Sequence, residues 1–398
     1  MSGDKTKSSS VLFLIPIVIW LITGYPLRQF LPERTGLLVA GGGLSFSLYL
    51  LVLQFLLYSK MCGQVMIPKK LLIYSFLWVL YLTWGVVSNL GSAYGSLLYQ
   101  LVLIAGVLTA FLFAIFHTVP LASLFRVAFW TAFPFTVLWW ANWLGSGLVT
   151  DITYRNPSYG VISLAALCSA TYLFRFPFRT IIQSLILISL FFNEHRTSLF
   201  AGIIVVFLQA VFHFRSLQCK GMAGRKSMLM YIGIISLMLV GILVNVEEIS
   251  PFVLEDVLLW NDPHRGVSSG LSYRFLEWKE SLRLFFERPI LGWGTRANEV
   301  LLRDLGPIVA SSTHNGILAN LVDYGLPGAI LSIILMVWPI CLSTRQAWMK
   351  LGKEHLLLST LGISYMVLGM GERYWFSVGN PTSVILLVSL FYIMANEQ

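Results

Sequence analysis

Charge is what this chain most lacks. Of 398 residues only 11% are Asp, Glu, Lys or Arg, whereas 57% are hydrophobic and 14% aromatic. A soluble domain keeps about a quarter of its residues charged, so a soluble fold is excluded: there are too few polar side chains to cover one. Cysteine is scarce as well. Cys62, Cys168, Cys219 and Cys341 fall in apolar runs or short basic segments, and their spacing suits neither a disulfide framework nor zinc. The chain lacks an Asp-x-Asp pair for a nucleotide sugar, a phosphate loop ending in Gly-Lys-Ser/Thr and a His/Cys/Asp cluster at metal-ligand spacing. No cofactor and no metal are therefore expected. Acidic residues number 18 against 27 Lys and Arg, a net charge of +9. No arginine-rich tract with interleaved aromatics accompanies that excess, so nucleic acid is not an expected partner.

What the chain has instead is long apolar sequence. Twelve segments stand out, at about 11–24, 36–58, 71–88, 97–116, 121–144, 159–175, 180–193, 197–213, 228–246, 314–343, 355–371 and 379–395. Crossing a bilayer takes roughly 20 residues of helix, and the segments at 180–193 and 379–395 are short for that. Lys5 and Lys7 precede the first run as in a signal peptide, but no small-residue cleavage site follows, so it reads as a retained first helix. The expectation is an all-α polytopic membrane protein of about twelve transmembrane helices, residues 1–398 forming a single integral membrane domain. No internal repeat is visible.

The lysines and arginines set the orientation. With a cytoplasmic N-terminus, fifteen of them fall on the cytoplasmic side (5, 7, 60, 69, 70, 126, 175, 179, 215, 220, 225, 226, 345, 350, 353). Five fall in short outer loops (28, 34, 155, 196, 373), and the other seven lie in one long polar loop, 247–313. That asymmetry is what the positive-inside rule expects. It places both termini in the cytoplasm and the long loop on the extracytoplasmic side. Arg196, the long loop, His314 and the Glu372-Arg373 pair then share the outer face, although none was used to set the orientation by its chemistry.

The long loop is acidic in its first part (Glu247, Glu248, Glu255, Asp256, Asp262) and amphipathic in its second. Phe275, Trp278, Leu282 and Phe285 recur at helical spacing between charges, which predicts a helix on the membrane surface that Pro289 ends. Lys279, Arg283 and Arg288 read as a solvated face. Arg274 sits in the first turn of that helix, where an anion also meets the helix N-terminus. Ile290-Leu291-Gly292-Trp293-Gly294-Thr295-Arg296 is a glycine turn that presents a second arginine: an ordinary turn, or one that lets a bulky substrate approach. Two planar guanidinium forks suit a diphosphate. Arg196 lies between two spans with no room for a loop; it is an interfacial anchor, a partner of Glu194, or a ligand for an anion.

His314 follows Ser311-Ser312-Thr313, which reads as a helix N-cap run. Histidine titrates nearest neutrality and suits general-base work; at a helix start the commoner role is structural. Asn315 either orients a sugar hydroxyl or extends the cap. Gly325 and Gly328, with Pro327, predict a loosened helix and close packing.

These residues resemble a known family. His314-Asn315, nine residues, then Gly325-x-x-Gly328 is similar to the signature of the bacterial O-antigen ligases, which share a superfamily with O-antigen polymerases and protein O-oligosaccharyltransferases. His195-Arg196-Thr197-Ser198 resembles the family's arginine motif. Tyr273-Arg274-x-x-x-Trp278 followed by Pro289-x-x-Gly292-x-Gly294 resembles the segment that opens its periplasmic loop helix. The likeness covers the second half of the chain; the first half matches only in hydropathy and span count. It implies a metal-independent inner-membrane glycosyltransferase that moves polysaccharide en bloc from undecaprenyl diphosphate to lipid A–core. By that likeness His314 activates the acceptor hydroxyl, and Arg196, Arg274 and Arg296 hold the diphosphate. Glu372 and Asn315 are possible supporting residues. Besides the two substrates, membrane lipids are the only other partner implied. Two further readings stand beside it: a polymerase with the same donor, and a polysaccharide or lipid transporter.

Overall fold

A computed structural model of the chain describes residues 14–23, 33–62, 67–115, 121–146, 157–174, 178–192, 196–219, 274–304, 312–350, 353–373, 375–376 and 380–396. Among them there is no strand. The helices are α1 (Leu14–Thr23), α2 (Glu33–Cys62), α3 (Lys69–Leu90), α4 (Leu97–Ile115), α5 (Leu121–Ser146), α6 (Pro157–Leu173), α7 (Phe178–Phe192), α8 (Arg196–Cys219), α9 (Arg274–Glu287), α10 (Ala297–Asp304), α11 (Gly316–Lys350), α12 (Lys353–Gly371) and α13 (Pro381–Asn396). Each apolar segment expected from the sequence coincides with a helix except 228–246, which lies outside the described residues, as do the acidic part of the long loop and Ser311. By length and apolar composition α3, α4 and most of α11 are able to cross a membrane. Several other helices contribute shorter apolar stretches, such as Gly41–Gln54 and Gly160–Leu173.

The burial pattern is that of helices with protein on one side and an apolar surround on the other. α3 buries Tyr74, Trp78 and Tyr81 while Leu72, Phe76 and Val79 are each more than half exposed. Its inner face builds an aromatic core with α13 and the segment before it. Tyr74 meets Phe391 edge-on at 5.1 Å, Trp78 meets Phe376 at 4.7 Å, and Tyr81 meets Tyr324 at 5.3 Å. The Tyr74 hydroxyl donates to the Leu335 carbonyl at 2.8 Å, so even the polar tip is satisfied within the protein. α6 is buried all round from Val161 to Ala170. Its small residues let α5, α7 and α8 pack on it.

Three local features correct or extend the sequence reading. First, α11 does not begin at His314. Asn315 is the N-cap, its Oδ1 accepting from the amides of Ile317 and Leu318 at 3.0 and 3.1 Å. His314 stands just before it with φ 41°, in the left-handed region. Second, the long loop carries a second short helix, α10. Third, the face that α9 turns into the protein is largely polar. Its buried residues are Glu277, Ser281 and Leu284, whereas Phe275, Leu282 and Phe286 point away from the protein. Trp278 and Phe285 are half-buried.

The helix break expected at the glycines is real and has a partner. α11 is interrupted at Gly325 (φ 66°, ψ −170°). A break leaves carbonyls without helical donors, and the Pro289–Gly294 turn supplies them. The amides of Trp293 and Gly294 donate to Val322 and Asp323 at 2.9 and 2.8 Å, and Leu326 donates back to Pro289 at 2.8 Å. The Trp84 indole takes the Tyr324 carbonyl at 2.7 Å. The two backbones approach so closely that a Cβ at Gly292 would lie 2.5 Å from the Asp323 carbonyl oxygen. One at Gly325 would lie 2.1 Å from that of Ile290. Two glycine motifs distant in the chain, at Gly292 and Gly325, thus form one joint, which fixes the loop helices against the start of α11.

Candidate functional site

α9 crosses the start of α11 and fixes the histidine from two directions. The Trp278 indole donates to the Thr313 carbonyl at 3.0 Å, pinning the backbone beside His314. Glu277, fully buried, places its Oε2 3.0 Å from His314 Nδ1, while the imidazole side chain remains 30% exposed. The other oxygen, Glu277 Oε1, is buried with no partner among the described residues. A buried carboxylate is tolerated when it is hydrogen-bonded. Here its partner is a ring nitrogen, so the pair fixes both the tilt and the tautomer of the imidazole. Nothing in the sequence reading singled out Glu277. Its one signal is its position three residues after Arg274, on the same face as Ser281 and Leu284.

Of the predicted arginines, Arg274 meets the end of α12. Arg274 Nη2 donates to Glu372 Oε1 at 3.1 Å, the carboxylate nearly buried and the guanidinium a quarter exposed. Arg196 is the first residue of α8, and its neighbour Thr197 is close by: a Cβ built on Gly371 would lie 2.7 Å from Thr197 Cγ2 and 3.1 Å from Arg274 Nη1. Asn315 Nδ2 donates to the Met370 carbonyl at 3.2 Å. With its Oδ1 capping α11, this carboxamide is held at both ends, which favours the cap over a sugar contact. The segment from Gly369 to Arg373 therefore touches α8, α9 and the start of α11.

Arg296 reaches the same region by another route. It too has positive φ (60°), and the strain is held by Asp323. One carboxylate oxygen of that buried residue accepts from the Arg296 amide at 2.9 Å, the other from the Asn298 amide at 2.9 Å. Asp323 thus caps α10 from inside α11. The Arg296 guanidinium lies 3.9 Å above the Tyr99 ring and forks onto Glu299, Nη2 to Oε2 at 2.6 Å. Burial works against its charge, but the Glu299 hydrogen bond and the nearby negative groups outweigh that and hold its pKa above the usual arginine value. Glu299 Oε1 also meets Arg373 Nη1 at 2.6 Å.

Of the cations read as a solvated face, Lys279 is exposed and Arg283 is half-exposed, paired along its own helix with Glu280 and Glu287. Arg288 differs: it donates to the Gly91 carbonyl at 2.9 Å and covers the Trp293 ring at 4.3 Å, tying the loop to the end of α3. Glu299 and Asp323 join Glu277 as residues whose place in the site the sequence reading did not assign, and Arg373, placed on the outer face, had no partner assigned.

The arrangement comprises an imidazole aimed by a buried carboxylate and several guanidiniums gathered on neighbouring helix ends. It is suited to moving a proton beside a bound anion. No curated protein matches the chain. The family model described as O-antigen ligase matches residues 181–333, from α7 through the break in α11. That stretch holds Arg196, Arg274, Arg296, His314 and both glycine motifs, and over it the chain carries an O-antigen ligase family domain.

Proposed function

We propose that the protein is an O-antigen ligase of the bacterial inner membrane, transferring polysaccharide en bloc from undecaprenyl diphosphate to a sugar hydroxyl of lipid A–core on the periplasmic face. The observation that carries this reading is the Glu277–His314 pair beside the arginine-lined end of α12, with the histidine and three of the arginines inside the matched family domain. With a proton on Nδ1 donated to Glu277, His314 presents Nε2 as the base. It takes the proton of the acceptor hydroxyl as that oxygen bonds to the anomeric carbon of the donor. The bond from that carbon to the diphosphate oxygen breaks, and the diphosphate leaves with the electron pair. Arg196, Arg274 and Arg296 hold the developing charge, which is where preorganised donors lower a barrier most. The donor is already activated, so no nucleotide is required, and the guanidiniums do the work that a metal does elsewhere.

Twelve spans, read from the apolar segments, and cytoplasmic termini with a periplasmic loop at 247–313, read from the charge asymmetry, belong to the same proposal. A transporter is disfavoured on one structural point. Transporters use broken helices to offer unpaired backbone to a substrate, but at the break in α11 the carbonyls of Val322, Asp323 and Tyr324 are taken by the protein's own Trp293, Gly294 and Trp84.

A lipopolysaccharide gel of a deletion strain tests the assignment. Loss of the whole ladder with accumulated lipid-linked polymer is expected. Core carrying a single repeat would instead assign a polymerase, whose acceptor is another lipid-linked repeat.

A further inference from the structure

Arg373 lies outside the matched family domain, and the sequence reading placed it on the outer face with the candidate site but assigned it no chemistry. Its surroundings give it one. A single carboxylate, Glu299, joins it to Arg296. Oε1 meets Arg373 Nη1 at 2.6 Å and also takes Arg296 Nε, while Oε2 takes Arg296 Nη2 at 2.6 Å. The guanidiniums come from different elements, one from the turn before α10 and one from the segment after α12. Two cations brought together in this way repel unless an anion lies between them. The exposures are graded: about a third for Arg296 and Arg373, 13% for the carboxylate beneath them. Arg373 makes no other ion pair among the described residues. Its neighbour Glu372 pairs with Arg274, so two adjacent residues link the arginine of α9 to that of the glycine turn.

A carboxylate gripped by one bidentate and one single guanidinium contact offers oxygens where a phosphate would offer them. We propose that Arg373 is a further diphosphate-binding residue, and that Glu299 is a resident counter-ion which one phosphate of the donor displaces from the Arg296–Arg373 pair. The proposal rests on the lipid-diphosphate reading above. A diphosphate carries more charge than a carboxylate and more oxygens for the same forks, so it prevails at this position. Glu299 stands on the first turn of a short helix, and side-chain rotation alone moves it aside.

The test is equilibrium binding of undecaprenyl diphosphate, without glycan, to the full chain in lipid nanodiscs, with undecaprenyl monophosphate as comparison. Arg373→Gln is expected to weaken diphosphate binding about tenfold or more, the size of one charged hydrogen bond, and monophosphate binding less. Arg373→Lys keeps the ion pair to Glu299, and with it the local fold, but loses the fork; it should weaken binding in the same direction. Glu299→Gln, which keeps shape and removes charge, should tighten it. If both Arg373 variants bind diphosphate as wild type does, Arg373 is not a ligand. If Glu299→Gln weakens binding, the carboxylate holds the forks in place and is not displaced. Wild-type protein that binds neither lipid would overturn the ligase reading itself, a result distinct from both.

Discussion

At the scale of single residues, the position of His314 is set by its neighbours more than by its helix. It precedes the N-cap, in a backbone conformation that costs a non-glycine residue about 1 kcal/mol or more, and Glu277 and Trp278 of α9 hold it there. If it is the base, His314→Ala should lower the transfer rate about 10²–10⁴-fold with undecaprenyl-diphosphate glycan bound as tightly as before. Turnover near wild type would reduce the histidine to a structural residue. Glu277→Gln keeps the volume but no longer fixes the tautomer. A rate loss of about tenfold to a hundredfold, with donor affinity unchanged, is expected by analogy with the carboxylate that orients histidine in other sites. An unchanged rate would show that the pair only fills space. Arg274→Lys should weaken donor binding, because a point charge does not replace a planar fork. Arg283→Lys should be nearly silent, since its partners are exposed pairs along one helix, each contributing a few tenths of a kcal/mol.

Among elements, the joint between the 289–294 turn and the break in α11 decides where the loop helices sit. Gly292 and Gly325 combine positive φ with backbone oxygens within about 2.5 Å of any added Cβ. Each Gly→Ala change there should cost more than about 1 kcal/mol from conformation alone, with overpacking adding about 1–3. A lowered Tm in detergent, with lost transfer activity, is the expected result. Gly42, in α2, has nothing within 4 Å of an added Cβ, and Gly42→Ala should be neutral or slightly stabilising. Equal effects at Gly42 and Gly292 would mean that the joint does not hold the loop.

On the scale of the whole molecule, the prediction is orientation. Lys279 on α9 and Arg345 near the end of α11 are both exposed, and the charge asymmetry puts them on opposite sides of the membrane. In a cysteine-free background, an impermeant thiol reagent applied to the periplasmic side should label Lys279→Cys and spare Arg345→Cys. The reverse pattern would put His314 in the cytoplasm and remove the periplasmic acceptor. Transfer by the purified chain from lipid-diphosphate donor to lipid A–core should persist in chelator without ATP. A strict requirement for magnesium would point to a carboxylate site, with the acidic part of the long loop as the first place to look.

The sequence by itself determined the class of molecule, the positions of its apolar helices and the rare residues able to do chemistry. Those properties are local: a helix in an apolar solvent satisfies its own backbone, and a charge in a chain this poor in charge is conspicuous wherever it falls. It also marked Gly325 as a break and Arg274 and Arg296 as arginines set in helix-start and turn geometry. What tertiary structure decided was which partners meet. Glu277 is one of three glutamates on an amphipathic helix, and its face turns inward because His314, 37 residues later, lies opposite. Phe275 and Leu282, read from the sequence as the face of a surface helix, do point away from the protein, but only the fold shows that the opposite, polar face carries Glu277 inward. Gly292 is needed only because Gly325 breaks a helix against it, and Glu299 is shared by Arg296 and Arg373 only because α10 docks beside the end of α12. Contacts between residues distant in the chain depend on how helices rotate and cross, and that is set by the packing of all their neighbours at once.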